Sequence, residues 1–288
     1  MSAAIWFLTG SYLLLCSFGL LLQEKLIFLP EPKISATPQC INLDYDDVWL
    51  LTADRVWING WYLPSPQSDK QPTILYLHGN AGNMSHCLDV VAAIHRLGLA
   101  CLMIDYRGYG RSQGSPSEQG MYSDAATAWM WLRHRKGLRA DQIVIWGFSL
   151  GGPVAAKLAE STNPGGLILD STFTSLKELG HRLFPTMPVS LIMRLNYSTS
   201  ESLQNVRCPV LIVHSRKDNI VPFSFASELY ATAGQPKRFL ETDGEHNRGF
   251  QTAKRRYIRG IGKFLKEFGL MDTRPGTDRL RAKSSSSP

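Results

Sequence analysis

Five short runs, residues 73–77, 100–104, 142–146, 166–169 and 209–213, are apolar at nearly every position and are separated by stretches with helical spacing. A strand with one face in water alternates apolar and polar residues, whereas one that is apolar throughout has to be covered on both faces. Repeated alternation of such strands with helices therefore specifies a mostly parallel sheet with helices on both faces, the α/β class. Residues 41–51 and 55–63 precede the pattern and read as paired strands leading into a polar loop, 64–71. A last strand, 238–241, leads into an amphipathic segment, 250–268. The opening hairpin and the uneven loop lengths indicate an open sheet rather than a closed barrel.

The rhythm breaks once. Residues 174–207 form a 34-residue excursion between two strands, with Phe184, Met187 and Met193 set among Pro185 and Pro188. An interval of that length is expected to fold as a small cap of one or two helices. Its Met and Phe side chains either pack the cap or wall an apolar substrate slot. A composition of 44% hydrophobic and 19% charged residues excludes disorder as the dominant state. Five cysteines with no Cys-x-x-Cys pair exclude a disulfide scaffold.

The two ends of the chain differ from its body. Residues 3–22 carry no charge and are long enough to cross a hydrocarbon core of ~30 Å. A cleaved signal peptide needs a basic start and a small-residue cleavage site. Here no Lys or Arg precedes the run, and Gln23-Glu24-Lys25-Leu26-Ile27-Phe28 follows it. An uncleaved single-pass anchor is the reading these residues favour, with a signal peptide and a buried helix as alternatives. Lys25 and Lys33 on the C-terminal flank tilt the body towards the cytoplasm. The net charge of +7 comes from residues 254–283, and the rest of the chain balances to zero. That basic stretch reads as a solvated helix face and a disordered tail, 271–288, with attraction to anionic lipid headgroups as the sharper alternative. No nucleic-acid-binding signature accompanies it, so nucleic acid is not an expected partner. The expected organisation is thus an anchor at 3–22, a body at 26–270 with a cap at 174–207, and the tail.

Gly147-Phe148-Ser149-Leu150-Gly151 lies between a predicted strand and a predicted helix, the setting a Gly-x-Ser-x-Gly nucleophile elbow requires. A tight strand-to-helix turn projects the serine Oγ from the sheet edge, and the Leu150 N–H opens the helix, where partial positive charge stabilises an oxyanion. A second donor is expected from the glycine loop after the strand at 73–77, His78-Gly79-Asn80-Ala81-Gly82-Asn83, with the Asn80 N–H as candidate and Ala81 next. A serine hydroxyl needs a base, and the base a carboxylate to orient it. After Ser149 the histidines are His181 in the cap, His214 at the end of an apolar strand and His246 in the loop beyond the last strand. His246 is the candidate base, while His214 and the earlier His78 read as structural. Asp218, after the strand at 209–213, is the candidate acid, and Asp170, after the preceding strand, its rival. The predicted row is Ser149, Asp218 and His246, all beyond C-terminal strand ends, where open parallel sheets place their sites.

From about residue 25 to 270 the chain resembles the α/β-hydrolase superfamily, and within it the membrane-anchored Bem-type and abhydrolase-domain serine hydrolases. The resemblance is carried by residues 78–83, by Asp105-Tyr106-Arg107-Gly108-Tyr109-Gly110-Arg111-Ser112, by residues 147–152, by Asp218-Asn219-Ile220-Val221-Pro222 and by Gly244-Glu245-His246-Asn247. It implies hydrolysis of carboxylic esters or thioesters through an acyl-enzyme, on lipid or acylated-protein substrates. Some relatives are grouped with peptidases of the prolyl-aminopeptidase type, but those carry a large helical cap that this chain lacks. A catalytically silent binding module is the remaining alternative. No cofactor is expected: the glycines at 108, 110 and 114 miss the dinucleotide spacing, and Gly114-Ser115-Pro116 breaks the chain where a phosphate-binding helix would start. No spacing of Cys, His or carboxylates calls for a metal.

Overall fold

Strands buried on both faces lie at the centre of the sheet. A computed structural model describes residues 2–68 and 71–271. In chain order the strands are β1 (Leu29–Pro30), β2 (Asp46–Leu51), β3 (Trp57–Leu63), β4 (Thr73–Leu77), β5 (Ala81–Gly82), β6 (Ala100–Ile104), β7 (Ile143–Phe148), β8 (Gly166–Asp170), β9 (Val210–Ser215) and β10 (Lys237–Thr242). The helices are α1 (Ser2–Ile27), α2 (Leu88–Arg96), α3 (Glu118–His134), α4 (Gly151–Thr162), α5 (Leu176–Leu183), α6 (Val189–Ile192), α7 (Thr199–Leu203), α8 (Ser224–Thr232) and α9 (Gly249–Glu267).

Eight strands form one sheet in the order β10-β9-β8-β7-β4-β6-β3-β2. From β10 to β6 all pairings are parallel, and β3 and β2 add the antiparallel edge expected from the hairpin. Alternate residues feed two cores. Leu75, Leu77, Ile145 and Leu169 pack under α3, α4 and α8, whereas Ile74, Tyr76, Trp146 and Ile168 pack under α2 and α9. Each such side chain contributes ~1.5–3 kcal/mol by leaving water, which makes a one-residue slip of any central strand prohibitive. The first hairpin strand starts at Asp46 rather than residue 41, because Pro38–Ile41 forms a 3₁₀ turn closed by Asn42 at φ 57°.

The excursion between β8 and β9 holds three short helices, α5, α6 and α7, where one or two were expected. Pro185 and Pro188 fall between α5 and α6, and a proline cannot continue a helix without losing a hydrogen bond. Ser175 and Ser198 form an antiparallel bridge at the base of the excursion. The Glu118 carboxylate at the start of α3 accepts from the Asn196 and Tyr197 backbone N–H groups at 2.7 and 2.9 Å.

Helix α1 has 26 residues and runs past the predicted 3–22 span to Ile27, a length of ~39 Å. Trp6, Phe7, Leu14 and Leu21 on it are more than 70% exposed. It rests on the excursion: Tyr12 Oη donates to the Thr186 carbonyl at 2.8 Å, and the Gln23 amide bridges to the Ile192 carbonyl and the Arg194 N–H. The chain then enters the body through β1, which pairs in parallel with β5 beside the glycine loop. Of the expected tail, 271–288, residues 272–288 lie outside the described residues.

Candidate active site

Ser149 directly follows β7 at φ 52°, in the left-handed region that non-glycine residues seldom occupy, and the strain is held by its neighbours. Its N–H donates to the Asp170 carbonyl at 2.9 Å, and its carbonyl accepts from Thr172 Oγ1 at 2.7 Å. Glycines let the turn and the neighbouring loop come close. A Cβ on Gly147 would lie 2.6 Å from Ala155 Cβ on the crossing helix α4, and one on Gly79 would lie 3.4 Å from Ser149 Cβ. The glycine loop therefore passes directly against the serine. Asn80 is held there by its side-chain amide donating to the Ile27 carbonyl at 2.8 Å and by its carbonyl accepting from Tyr109 Oη at 2.8 Å. Leu150 is the residue that precedes α4, so its N–H stands at that helix's positive end.

His246 reaches Ser149 from the loop after β10: its Nε2 is 2.9 Å from Ser149 Oγ. On its other side Nδ1 is 2.7 Å from Asp218 Oδ2. A carboxylate only accepts, so Nδ1 carries the proton and Nε2 is left to accept from the serine hydroxyl. The loop is braced by the Asn219 side-chain carbonyl, which accepts from the His246 N–H at 3.1 Å, and by Ser215 Oγ donating to the Gly244 carbonyl at 2.6 Å. The Phe148 ring lies 5.2 Å from the imidazole. Asp218 has a fully buried carboxylate whose Oδ1 accepts from the Ile220 and Val221 N–H groups at 2.9 and 2.8 Å. Burial works against its charge, but the imidazole donor and these two amides outweigh burial and hold the carboxyl below its ordinary range.

The remaining candidates separate cleanly. Asp170 is buried at the end of β8 and accepts from Tyr257 Oη at 3.0 Å, Trp146 Nε1 at 3.3 Å and Ser171 Oγ at 3.1 Å. Burial pushes its pKa up to about 7 despite those donors. His214 is buried and donates from Nε2 to the Val221 carbonyl at 2.9 Å, and burial pushes its pKa down. His78 is buried between Tyr106 and Tyr109, with Nδ1 2.7 Å from the Gly79 carbonyl and Nε2 3.4 Å from Asp105. It braces the loop as expected. His181 is exposed and bonded to Ser190. Arg107 pairs with Asp124 of α3 and Asp54 of the hairpin turn, so the motif around it ties loops together. Among the described residues no group of His, Cys, Asp and Glu is arranged to hold a metal.

Thr172, Asn219 and Tyr257 were not singled out from the sequence. Asn219 directly follows Asp218, but nothing local distinguishes a brace for a loop 27 residues away from a turn-forming Asn. Thr172 and Tyr257 touch the site only because β8 and α9 pack beside β7.

A serine at a strained strand–helix turn, a histidine and a carboxylate from the next loops, all at one edge of a parallel sheet, are features of a hydrolase fold. Residues 72–188 match the alpha/beta hydrolase fold family. The chain is 35% identical to the protein bem46 of Schizosaccharomyces pombe over 210 residues, 70% of each chain. It is 37% identical to the lysophosphatidylserine lipase ABHD12 of Danio rerio over 201 residues, 62% of this chain and about half, 51%, of that protein. The solved esterase Pf2001 of Pyrococcus furiosus has the same fold, with a TM-score of 0.70 at 22% identity over 84% of this chain and 99% of that one. The chain is an α/β-hydrolase. Within that family it belongs to the abhydrolase-domain group that includes bem46.

Proposed function

We propose that this chain is a membrane-anchored serine hydrolase that cleaves carboxylic esters or thioesters through an acyl-enzyme. The row Asp218–His246–Ser149, with heavy-atom separations of 2.7 and 2.9 Å, is the observation that carries the reading. Ser149 Oγ attacks the acyl carbonyl carbon while its proton passes to His246 Nε2. Asp218 keeps the imidazole in the tautomer that can accept and stabilises the imidazolium. The carbonyl electron pair moves to oxygen, where the Leu150 and Asn80 N–H groups hold it. Collapse breaks the bond to the leaving oxygen or sulfur, which takes the proton from His246. Water then attacks the acyl-enzyme, gives one proton to His246, and the carboxylic acid leaves as that proton returns to Ser149. The likeness to a lysophosphatidylserine lipase favours a lipid acyl ester as the substrate class.

Helix α1 is the proposed anchor, because it is long and apolar enough to span and leaves its large side chains uncovered. The full chain is expected to stay with membranes through a high-salt wash, and release by salt would assign binding to the basic C-terminal stretch instead. The chemistry is tested by labelling the full chain in membranes with a fluorophosphonate, beside Ser149→Ala. Labelling of the parent alone is expected. Equal labelling of both, or none of a folded parent, would overturn it.

A further inference from the structure

The anchor helix is more than a tether. Between α1 and the excursion helices α5 and α6 lies an elongated cavity of about 770 Å³, within the size range of small-molecule sites. One wall is a single face of α1, where Phe18, Gly19 and Ile27 follow helical spacing, and the other includes Leu179, Phe184 and Met193. Gln23 also lines it, but its amide is fully engaged, donating to the Leu20 and Ile192 carbonyls and accepting from the Arg194 and Leu195 N–H groups. Its polar atoms are spent on protein, so at that point the wall offers a guest only hydrocarbon.

Each wall is tied to a loop that flanks Ser149. Ile27 accepts from the Asn80 side chain, and the loop carrying Asn80 abuts the serine. Leu176, at the base of the other wall, follows Thr172, whose hydroxyl donates to the Ser149 carbonyl. At the far end the cavity reaches Leu15 and Phe184, beside cap side chains that are also uncovered: Leu183, Phe184 and Leu191 are 46, 59 and 82% exposed. Together with the outer face of α1 these form an apolar surface too extensive for water and suited to acyl chains. From Leu15 to Ile27 the slot follows α1 for ~18 Å.

We propose that this slot holds the acyl chain of a membrane lipid ester, which enters sideways from the bilayer and brings its carbonyl to Ser149. The inference rests on the hydrolase reading above for what happens at the carbonyl, but not for the binding of the chain. Small Gly19 is central to it: a Cβ there would lie 3.6 Å from Ile192 Cδ1, so a larger side chain occupies the space between helix and cap.

The test uses the full chain in phosphatidylcholine vesicles, with two slot-filling variants, Met193→Trp in the cap and Gly19→Leu in the anchor, so that a folding defect of one leaves the other. In the Ser149→Ala background, a lysophospholipid bearing a diazirine near its chain end is expected to cross-link to Phe18, Leu179 or Met193, and each filling variant to cut that labelling about fivefold or more. Cross-links confined to the outward Leu14 and Leu21, or labelling indifferent to both fillings, would overturn the slot. With Ser149 intact, filling is expected to lower kcat/KM for a palmitoyl ester about tenfold relative to a butyryl ester. An unchanged ratio in variants that still take a fluorophosphonate would also overturn it. Absence of fluorophosphonate labelling in the parent would instead strike the hydrolase reading, and the cross-linking would still decide the slot.

Discussion

Asp170 and Asp218 leave adjacent strands at the same edge of the sheet, and the two carboxyls are shifted in opposite directions. Asp218 receives an imidazole N–H and two backbone amides, and its charge is stabilised. Asp170, buried as well, receives a phenol, an indole and a hydroxyl, and burial raises its pKa to about 7. Strand-end position is therefore not what makes a carboxylate a partner for histidine. Donor identity and the angle at which the next loop returns decide it. The backbone of Asp170 still serves the site, because its carbonyl fixes the strained Ser149 N–H.

Exchange of the two acids sharpens this contrast most. Asp218→Asn should lower ester turnover by about 10⁴, since an amide that donates to Nδ1 leaves His246 in the wrong tautomer. Asp170→Asn should cost less than about tenfold. If steady-state kinetics give the reverse order, Asp170 is the functional acid. Removal of the loop brace should come next: Asn219→Ala is expected to lower kcat by about fivefold, the equivalent of one hydrogen bond of ~1 kcal/mol, with KM little changed. On the Asp170 side, Tyr257→Phe deletes a donor and should reduce stability by about 1 kcal/mol in urea melts while turnover stays near the parent value. A loss of activity larger than the loss of stability would place Tyr257 in the reaction.

The smallest effect is a pH slope. A carboxyl with a folded pKa of about 7 binds its proton in the folded state across a range where the unfolded chain, at an ordinary ~3.9, has released it. Its contribution to stability is therefore present below the unfolded value and is lost as pH rises towards 7. Asp218, shifted downwards, has the opposite sign and stabilises the fold above ~4. The melting temperature of Asp170→Asn relative to the parent should accordingly climb between pH 4 and 7 and then level off. A flat difference would mean that Asp170 titrates normally.

The parts of this molecule that were legible in its sequence are those decided within one turn or one strand. The runs at 73–77 and 100–104 became β4 and β6 with those bounds, because a strand buried on both faces is a nearly continuous apolar run. The elbow at Ser149 was equally readable, since Gly147 is demanded by the crossing of α4 and Gly151 by the close Leu77 carbonyl at the end of β4. His246 could be singled out by position beyond the last strand. The excursion was not readable in the same way: its length was evident, but Pro185 and Pro188 divide it into more helices than its apolar pattern indicated.

The sequence by itself determined the fold class, the family, the strained turn and the presence of a long apolar helix, because each rests on spacing within a few residues. Only the tertiary structure decided that Asp218 rather than Asp170 meets His246, and that α1 lies against the excursion to enclose an apolar cavity. Those outcomes depend on which strands are neighbours and how far each loop leans. They are settled by packing between segments distant along the chain, and residue pattern carries no record of such distances.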